Sequence, residues 1–360
     1  MLATPCLEAS IQAAALAGRC RRSGAKPILL ALMSGVTDRL AELSCGVDEA
    51  SGRNTPQCKL CCGATEHFIE RGGYPIVRCA NCGFMFALLP AGFAPADSYA
   101  DDSYFSAEAA HGIADYDSLW NELLVHLYVP RLIRLQELGC TGGRMLDIGC
   151  AGGNLMVHAE RLGWATFGVE LSGSMRQRAS NLTGRPIYES ISHAFDSGER
   201  FDCITMFEVI EHVDDPLSVM REVAGLLNPG GLFALSTPNC DSPEAIGGQP
   251  IDIWFIPPEH ISYFGRRTIT DCMKRATLSV LAIDGLEGVW RAQAGDTSFP
   301  PSLTRLLRAW RKNKRLRPGG LIGKILKRAY SPAARPEIYR RRDPADLSHA
   351  EVIEIYARKL

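Results

Sequence analysis

The sequence predicts an α/β fold. Its centre reads as a doubly wound, mostly parallel sheet with helices on both faces, preceded by a small cysteine-rich unit. Three observations predict it. From Gly143 onward, strand-like runs alternate with helical segments of about ten to fifteen residues, the pattern of βαβ units. The first of these strands, MLDIG (145–149), breaks into the glycine cluster GCAGGN. Ahead of it stand two C-x-x-C pairs, CKLC (58–61) and CANC (79–82).

The elements follow in order. SLWNELLVHLYVPRLIRLQEL (118–138) has helical spacing and predicts a helix broken near Pro130. Strand RMLDIG leads into helix NLMVHAERLG, and strand ATFGVEL into helix SGSMRQRASNL. A short strand PIYES precedes strand FDCITMF, helix PLSVMREVAGLL and strand GLFALSTPN; helix TITDCMKRA and strand LSVLAID close the pattern. The organisation reads as a low-order segment 1–53, a cysteine unit 54–90, a linker and helical cap 91–138, the α/β domain 139–295, and a basic, amphipathic helical tail 296–360.

Composition fits a soluble globular chain: 360 residues, 46% hydrophobic and 22% charged, with net charge −1. No apolar run approaches the roughly 20 residues of a membrane-spanning helix, and PILLALMSGV (27–36) is short and set too far in for a signal peptide. The thiols therefore read as reduced and the compartment as cytoplasmic. The balance hides an asymmetry, because residues 301–360 carry 16 Lys/Arg against 5 Asp/Glu. LTRLLRAWRKNKRLR sets Leu and Trp among basic residues, a composition suited to lying peripherally on an anionic membrane face.

The glycine cluster must serve some ligand. A dinucleotide turn wants G-x-G-x-x-G/A, whereas here Ala151 and Asn154 stand at the second and third glycines. Asp147 would also repel a pyrophosphate. No G-K-S/T follows, which excludes a nucleotide P-loop. A ligand with a cationic amino-acid end reverses the sign. Asp147 then offers charge-assisted hydrogen bonds, and Glu170, at the end of the second strand, sits where carboxylates take ribose hydroxyls.

The stretches LDIGCAGGNL, FGVELS, FDCITMFEVIEHVDDP and LLNPGGLFALSTPN, in that order, resemble the class I S-adenosylmethionine-dependent methyltransferases. The resemblance implies a Rossmann-like sheet of seven strands, S-adenosyl-L-methionine as cofactor and a small-molecule methyl acceptor. It implies that Asp147, Gly149, Ala151 and Gly153 frame the methionine end, that Glu170 takes the ribose, and that Phe207 and Glu208 line the cofactor. Glu189 and Ser190 are candidates on the adenine side. Ala151 replaces a family glycine, a change tolerated if its φ is negative.

The cysteine pairs have the spacing of a zinc ribbon, with Cys58, Cys61, Cys79 and Cys82 as a tetrahedral thiolate set around a structural zinc. Four sulfurs leave no open position for catalysis. Cys62 offers an alternative partner to Cys58. A ribbon ahead of such a core resembles bacterial sugar C-methyltransferases and their relatives, which implies a sugar-nucleotide or other cell-envelope or secondary-metabolite intermediate as acceptor; EVIEHV and LLNPGGLFALSTPN also resemble ubiquinone-pathway O-methyltransferases, whose quinone or lipid-like aromatic acceptor is the alternative. A third reading makes ribbon and basic tail an RNA-binding pair. The ribbon lacks a basic, aromatic-rich face, which disfavours nucleic acid.

Methyl transfer is an in-line displacement in which the acceptor must lose a proton. The candidate base is His260 in PPEHISYF, with Glu259 or Tyr263 orienting it, and with His212 and Glu211 of EVIEHV as further candidates. The loop 241–265, rich in Pro, Gly and aromatic residues, reads as the acceptor lid.

Overall fold

The near-continuous apolar runs of the predicted strands require two buried faces, and both are present. The computed structural model describes residues 56–95, 119–194, 198–242, 255–287, 340–342, 350 and 352–360. The ribbon comprises β1 (Thr65–Arg71), β2 (Tyr74–Cys79) and β3 (Met85–Ala87). Helix α1 (Leu119–Glu137) follows, then β4 (Gly143–Ile148), α2 (Asn154–Arg161), β5 (Trp164–Val169), α3 (Gly173–Thr183), β6 (Ile187–Tyr188) and the short α4 (Ile191–Ala194). The chain continues through β7 (Phe201–Phe207), a 3-10 turn Ile210–His212, α5 (Pro216–Leu226), β8 (Leu227–Pro238), β9 (Ser262–Tyr263), α6 (Arg266–Arg275) and β10 (Leu278–Glu287). Two further strands are β11 (Arg340–Arg342) and β12 (Val352–Lys359).

The main sheet has the order β11-β10-β12-β8-β7-β4-β5-β6. Its half from β8 to β6 is parallel, and β12 runs antiparallel to both β8 and β10. The seven expected strands are thus present, with β11 added at one edge. Neighbouring residues divide between the faces. Met145, Cys203, Leu232, Ala234 and Tyr356 pack with Leu132 and Leu135 of α1 and Leu155 of α2. Leu146, Ile204, Phe233, Leu235 and Ile355 pack on the other side with α5, α6 and the ribbon.

Local chemistry fixes the helix ends. Ser172 Oγ accepts from Met175 N at 3.3 Å to start α3, and Gly184 ends it at φ 68°. Asp215 Oδ1 accepts from Ser218 N at 3.0 Å, with Pro216 in the first turn of α5.

Two expectations are corrected. Helix α1 is not broken at Pro130 but runs through it. A mid-helix proline costs ~3 kcal/mol, and burial of Arg131, Leu132 and Leu135 against the sheet offsets that cost. The tail is not helical to its end, because residues 352–359 form a buried strand inserted between β8 and β10. Its apolar residues fall on both faces of a strand, which suits a sheet interior and not a solvated helix. The α/β domain therefore extends beyond 139–295 to include β12 and, on its other side, α1.

The low-order reading of 1–53, residues 96–118 of the linker and helical cap, most of the lid before Phe255, and the basic stretch of the tail read as lying on a membrane fall outside the described residues. Among the described residues no helix is long and apolar enough to cross a membrane.

Candidate active site

The carboxyl ends of β4, β5 and β7 bring the predicted cofactor residues together. Asp147 lies on the central strand opposite Gly168 of β5 and Thr205 of β7. It is buried, and Thr205 Oγ1 donates to its Oδ1 at 2.7 Å. Burial pushes its pKa up to about 7, with Glu170 adding repulsion and Thr205 and Arg131 opposing the shift.

Past Asp147 the chain turns sharply. Gly149 has φ 73°, and a Cβ there would lie 2.4 Å from Val209 Cγ2. Ala151 is also left-handed, at φ 43°, so the condition that would make alanine a comfortable substitute is not met. The strained turn is held by Glu170, whose Oε2 accepts from Ala151 N at 2.9 Å while Oε1 accepts from Ser172 N at 2.8 Å. One carboxylate thereby ties the turn after β4 to the turn after β5. Burial raises the Glu170 pKa, and those backbone donors oppose the rise. Gly153, at φ 82°, opens α2. Ser190 and Glu189 follow β6 at the same edge, and Ser190 Oγ lies 3.1 Å from Ser192 Oγ.

After β7, Phe207 lies under the Arg131 guanidinium, 4.0 Å from its ring centre. Glu208 is left-handed at φ 56°. Ser236 Oγ donates to its Oε1 at 2.5 Å, whereas its Oε2 is buried without a hydrogen-bond partner. Burial raises its pKa against the pull of Arg131. Sequence reasoning missed Arg131, which bonds Glu354 Oε1 at 2.5 Å and Ser236 Oγ at 3.1 Å. An arginine in an otherwise apolar stretch of that helix was the available signal, and its partner is more than two hundred residues away.

A second cluster lies beyond Glu208. Glu211, His212 and His260 bring their ligand atoms within 4.8 Å of one another, close enough to share a cation. His212 Nδ1 is 2.8 Å from the carbonyl oxygen of Glu259. A carbonyl only accepts, so Nδ1 carries the proton and Nε2 presents its lone pair. The His212 and His260 rings meet edge to face at 4.8 Å. Glu211 is buried, with Thr237 Oγ1 donating to Oε2 at 3.1 Å, and burial together with the neighbouring Glu208 drives its pKa well up. Tyr263 donates its hydroxyl to the His260 carbonyl at 2.6 Å and is buried, so it fixes the backbone there. Glu259 contributes its main-chain carbonyl to His212.

In the ribbon the four predicted cysteines converge. The Sγ atoms of Cys58 and Cys82 are 3.6 Å apart and those of Cys61 and Cys79 are 3.4 Å apart, all four within 4.8 Å. Four thiolates ~2.3 Å from one zinc ion would stand ~3.8 Å from each other, so the set fits that ion. Cys62 is not among them.

Residues 121–283 match the family model described as "Methyltransferase domain". This segment is a methyltransferase domain. Curated relatives of it include a ubiquinone biosynthesis O-methyltransferase from Aeromonas salmonicida, 36% identical over 106 residues, covering 29% of this chain and 43% of the relative. Another, from Ruegeria pomeroyi, is 38% identical over 107 residues, covering 30% and 42%. The chain thus spans less than half the length of these relatives. A S-adenosylmethionine-dependent methyltransferase from Mesorhizobium loti aligns with TM-score 0.41 at 18% identity, over 64% of this chain and 96% of that one.

Proposed function

We propose that the chain transfers the methyl group of S-adenosylmethionine to a hydroxyl oxygen of a small-molecule acceptor. The observation that carries this reading is the set of buried carboxylates at the strand ends, Asp147, Glu170 and Glu208. Three such groups around a glycine turn repel a phosphate and suit a cation flanked by ribose hydroxyls. S-adenosylmethionine, when bound, supplies an electrophilic methyl on a sulfonium. Asp147 and the unpaired Oε2 of Glu208 would face its cationic end, and the remaining lone pairs of Glu170 its ribose.

The acceptor belongs at the His212–His260 corner. His212 is the better base of the two, because the Glu259 carbonyl fixes its tautomer and leaves Nε2 to take the hydroxyl proton. Glu211, 3.9 Å from Nε2, would stabilise the imidazolium that results once it ionises. His260 would pack against His212 and bound the site. In the ribbon, Cys58, Cys61, Cys79 and Cys82 would hold one structural zinc ion.

Oxygen as the accepting atom is supported by the histidine base and by the kind of relative matched. The ribbon against the acceptor corner favours a second reading, carbon methylation of a sugar nucleotide. Radiolabelled S-adenosylmethionine with 3,4-dihydroxybenzoate or with a thymidine diphosphate 4-keto-deoxysugar separates them. Label on the phenol is expected; label on the sugar alone would replace the first reading with the second. His212→Ala should lower turnover ~10²–10⁴-fold with cofactor affinity within about twofold. A loss seen only with His260→Ala would move the base to His260.

A further inference from the structure

The segment 261–264 belongs to two structures at once. Its strand β9 is no part of the main sheet; it is the fourth strand of the ribbon sheet, in the order β1-β2-β3-β9. Met85 pairs with Tyr263 and Phe86 with Ser262, and Ala87 N donates to the Ile261 carbonyl at 2.9 Å. The segment also bonds the turn that carries His212. Ile261 N donates to the Glu211 carbonyl at 2.8 Å, and Ser262 Oγ to the Val213 carbonyl at 2.9 Å. The stretch next to His260 is therefore clamped between the ribbon and the base-bearing turn.

Other contacts reinforce the clamp. Lys59, inside the first cysteine pair, bonds Asp214 at 2.5 Å. Phe84 meets Phe264 at a tilt of 42°, with ring centres 5.1 Å apart. Cys58, Cys79 and Cys82 are buried in the same apolar cluster as Ile210, Val213 and Phe264. The second cysteine pair leads directly into β3. Cys79 N donates to the Phe84 carbonyl at 2.8 Å and Gly83 N to the Cys79 carbonyl at 3.0 Å, so the knuckle sets where β3 begins. Among the described residues the cofactor turn has no corresponding bond to the ribbon: its backbone donors go to Val169, Cys150 and Glu170.

We propose that the ribbon is a positioning element of the acceptor site: with its four cysteines gathered on a metal ion, β3 holds residues 260–264 against the His212 turn, and loss of the metal releases that segment while the cofactor turn keeps its shape. This rests on the reading of that corner as the acceptor side. A metal site closed to substrate thereby controls acceptor geometry through strand pairing. The four sulfurs need no chemistry of their own for this. They act by fixing the origin of β3.

Hydrogen exchange of the full-length protein, with and without a zinc chelator, tests the idea, together with calorimetry against S-adenosylhomocysteine. Chelation should lower amide protection across 260–264 at least tenfold and leave S-adenosylhomocysteine affinity within about twofold. Ala87→Pro removes the N–H that bonds Ile261 and leaves the cysteines in place, so it should lose the same protection with full metal content. Ala87→Ser keeps that N–H and should behave as the parent protein. Unchanged protection in both the chelated protein and Ala87→Pro would overturn the proposal. So would loss of cofactor affinity together with protection, which would make the ribbon a general stability element. Absence of S-adenosylhomocysteine binding in the parent protein would instead remove the methyltransfer reading and leave the exchange result standing.

Discussion

The turn proposed to hold the cofactor and the corner proposed to hold the acceptor are built in opposite ways. The turn is assembled locally, from Asp147 to Ser172, and one side chain, Glu170, closes it with two backbone bonds. The acceptor corner is assembled at long range. His212 meets the Glu259 carbonyl 47 positions away, and the segment beside His260 pairs with residues 85–87. A local site depends on the sheet alone; a site built at long range depends on every element that holds its parts together. The ribbon supports the second site and not the first, which is why the two should fail separately.

The largest effect expected is the one that removes the comparison altogether. Deleting 350–360 takes out β12, whose Val352, Ile353, Ile355 and Tyr356 are fully buried. At ~2 kcal/mol each, their loss amounts to ~8 kcal/mol, against a total stability of ~5–15 kcal/mol for a typical domain. The deletion also strands Arg131 without Glu354. Circular dichroism should show no cooperative thermal transition, and both sites should be lost together. A cooperative transition in the truncated chain would mean that the sheet closes without its seventh strand.

A smaller change should separate the sites. Asp147→Asn keeps a group for Thr205 and removes the charge. S-adenosylmethionine affinity should fall ~10–100-fold, the equivalent of ~1.5–3 kcal/mol for a charged hydrogen bond, with protection of 260–264 unchanged. The pH dependence has a definite sign. Burial raises Asp147 to about 7, so below that pH the free protein holds a proton that a cationic ligand must displace. Affinity should weaken by up to about tenfold per unit below pH 7 and level off above it. Calorimetry from pH 5.5 to 8 should show this slope in the parent and a flat line in Asp147→Asn. A slope in both would assign it to another group.

The smallest effect sharpens the account of the turn. Ala151 sits at φ 43°, where glycine is unstrained. Ala151→Gly should stabilise the protein by ~0.5–1 kcal/mol, seen as a rise of a few degrees in the thermal midpoint. A fall would mean that the alanine methyl packs usefully in the turn.

Legibility followed the same division. Strands β4, β5 and β7 could be read because apolar runs and following turn residues are local signals, and Glu170 because its place at a strand end has a meaning of its own. The helix through Pro130 and the strand hidden in the basic tail could not, since each is stabilised by partners distant in sequence. Residues 352–359 carry Glu354 and Arg358, which look solvated until Arg131 is placed opposite Glu354. The four cysteines were legible from spacing. Their contact with β9 was not.

By itself, then, the sequence determined the alternating elements, the acid–glycine–acid turn and the cysteine set, because each is written in spacings shorter than one βαβ unit. Only the tertiary structure decided that the chain's last strand lies inside the sheet, that Ala151 is left-handed, and that His212 presents Nε2. It also decided that the ribbon's edge runs into the segment beside His260. The reason is physical. Burial and hydrogen bonding between distant segments set tautomers, shift pKa values and choose between strand and helix, and none of these has a local signature.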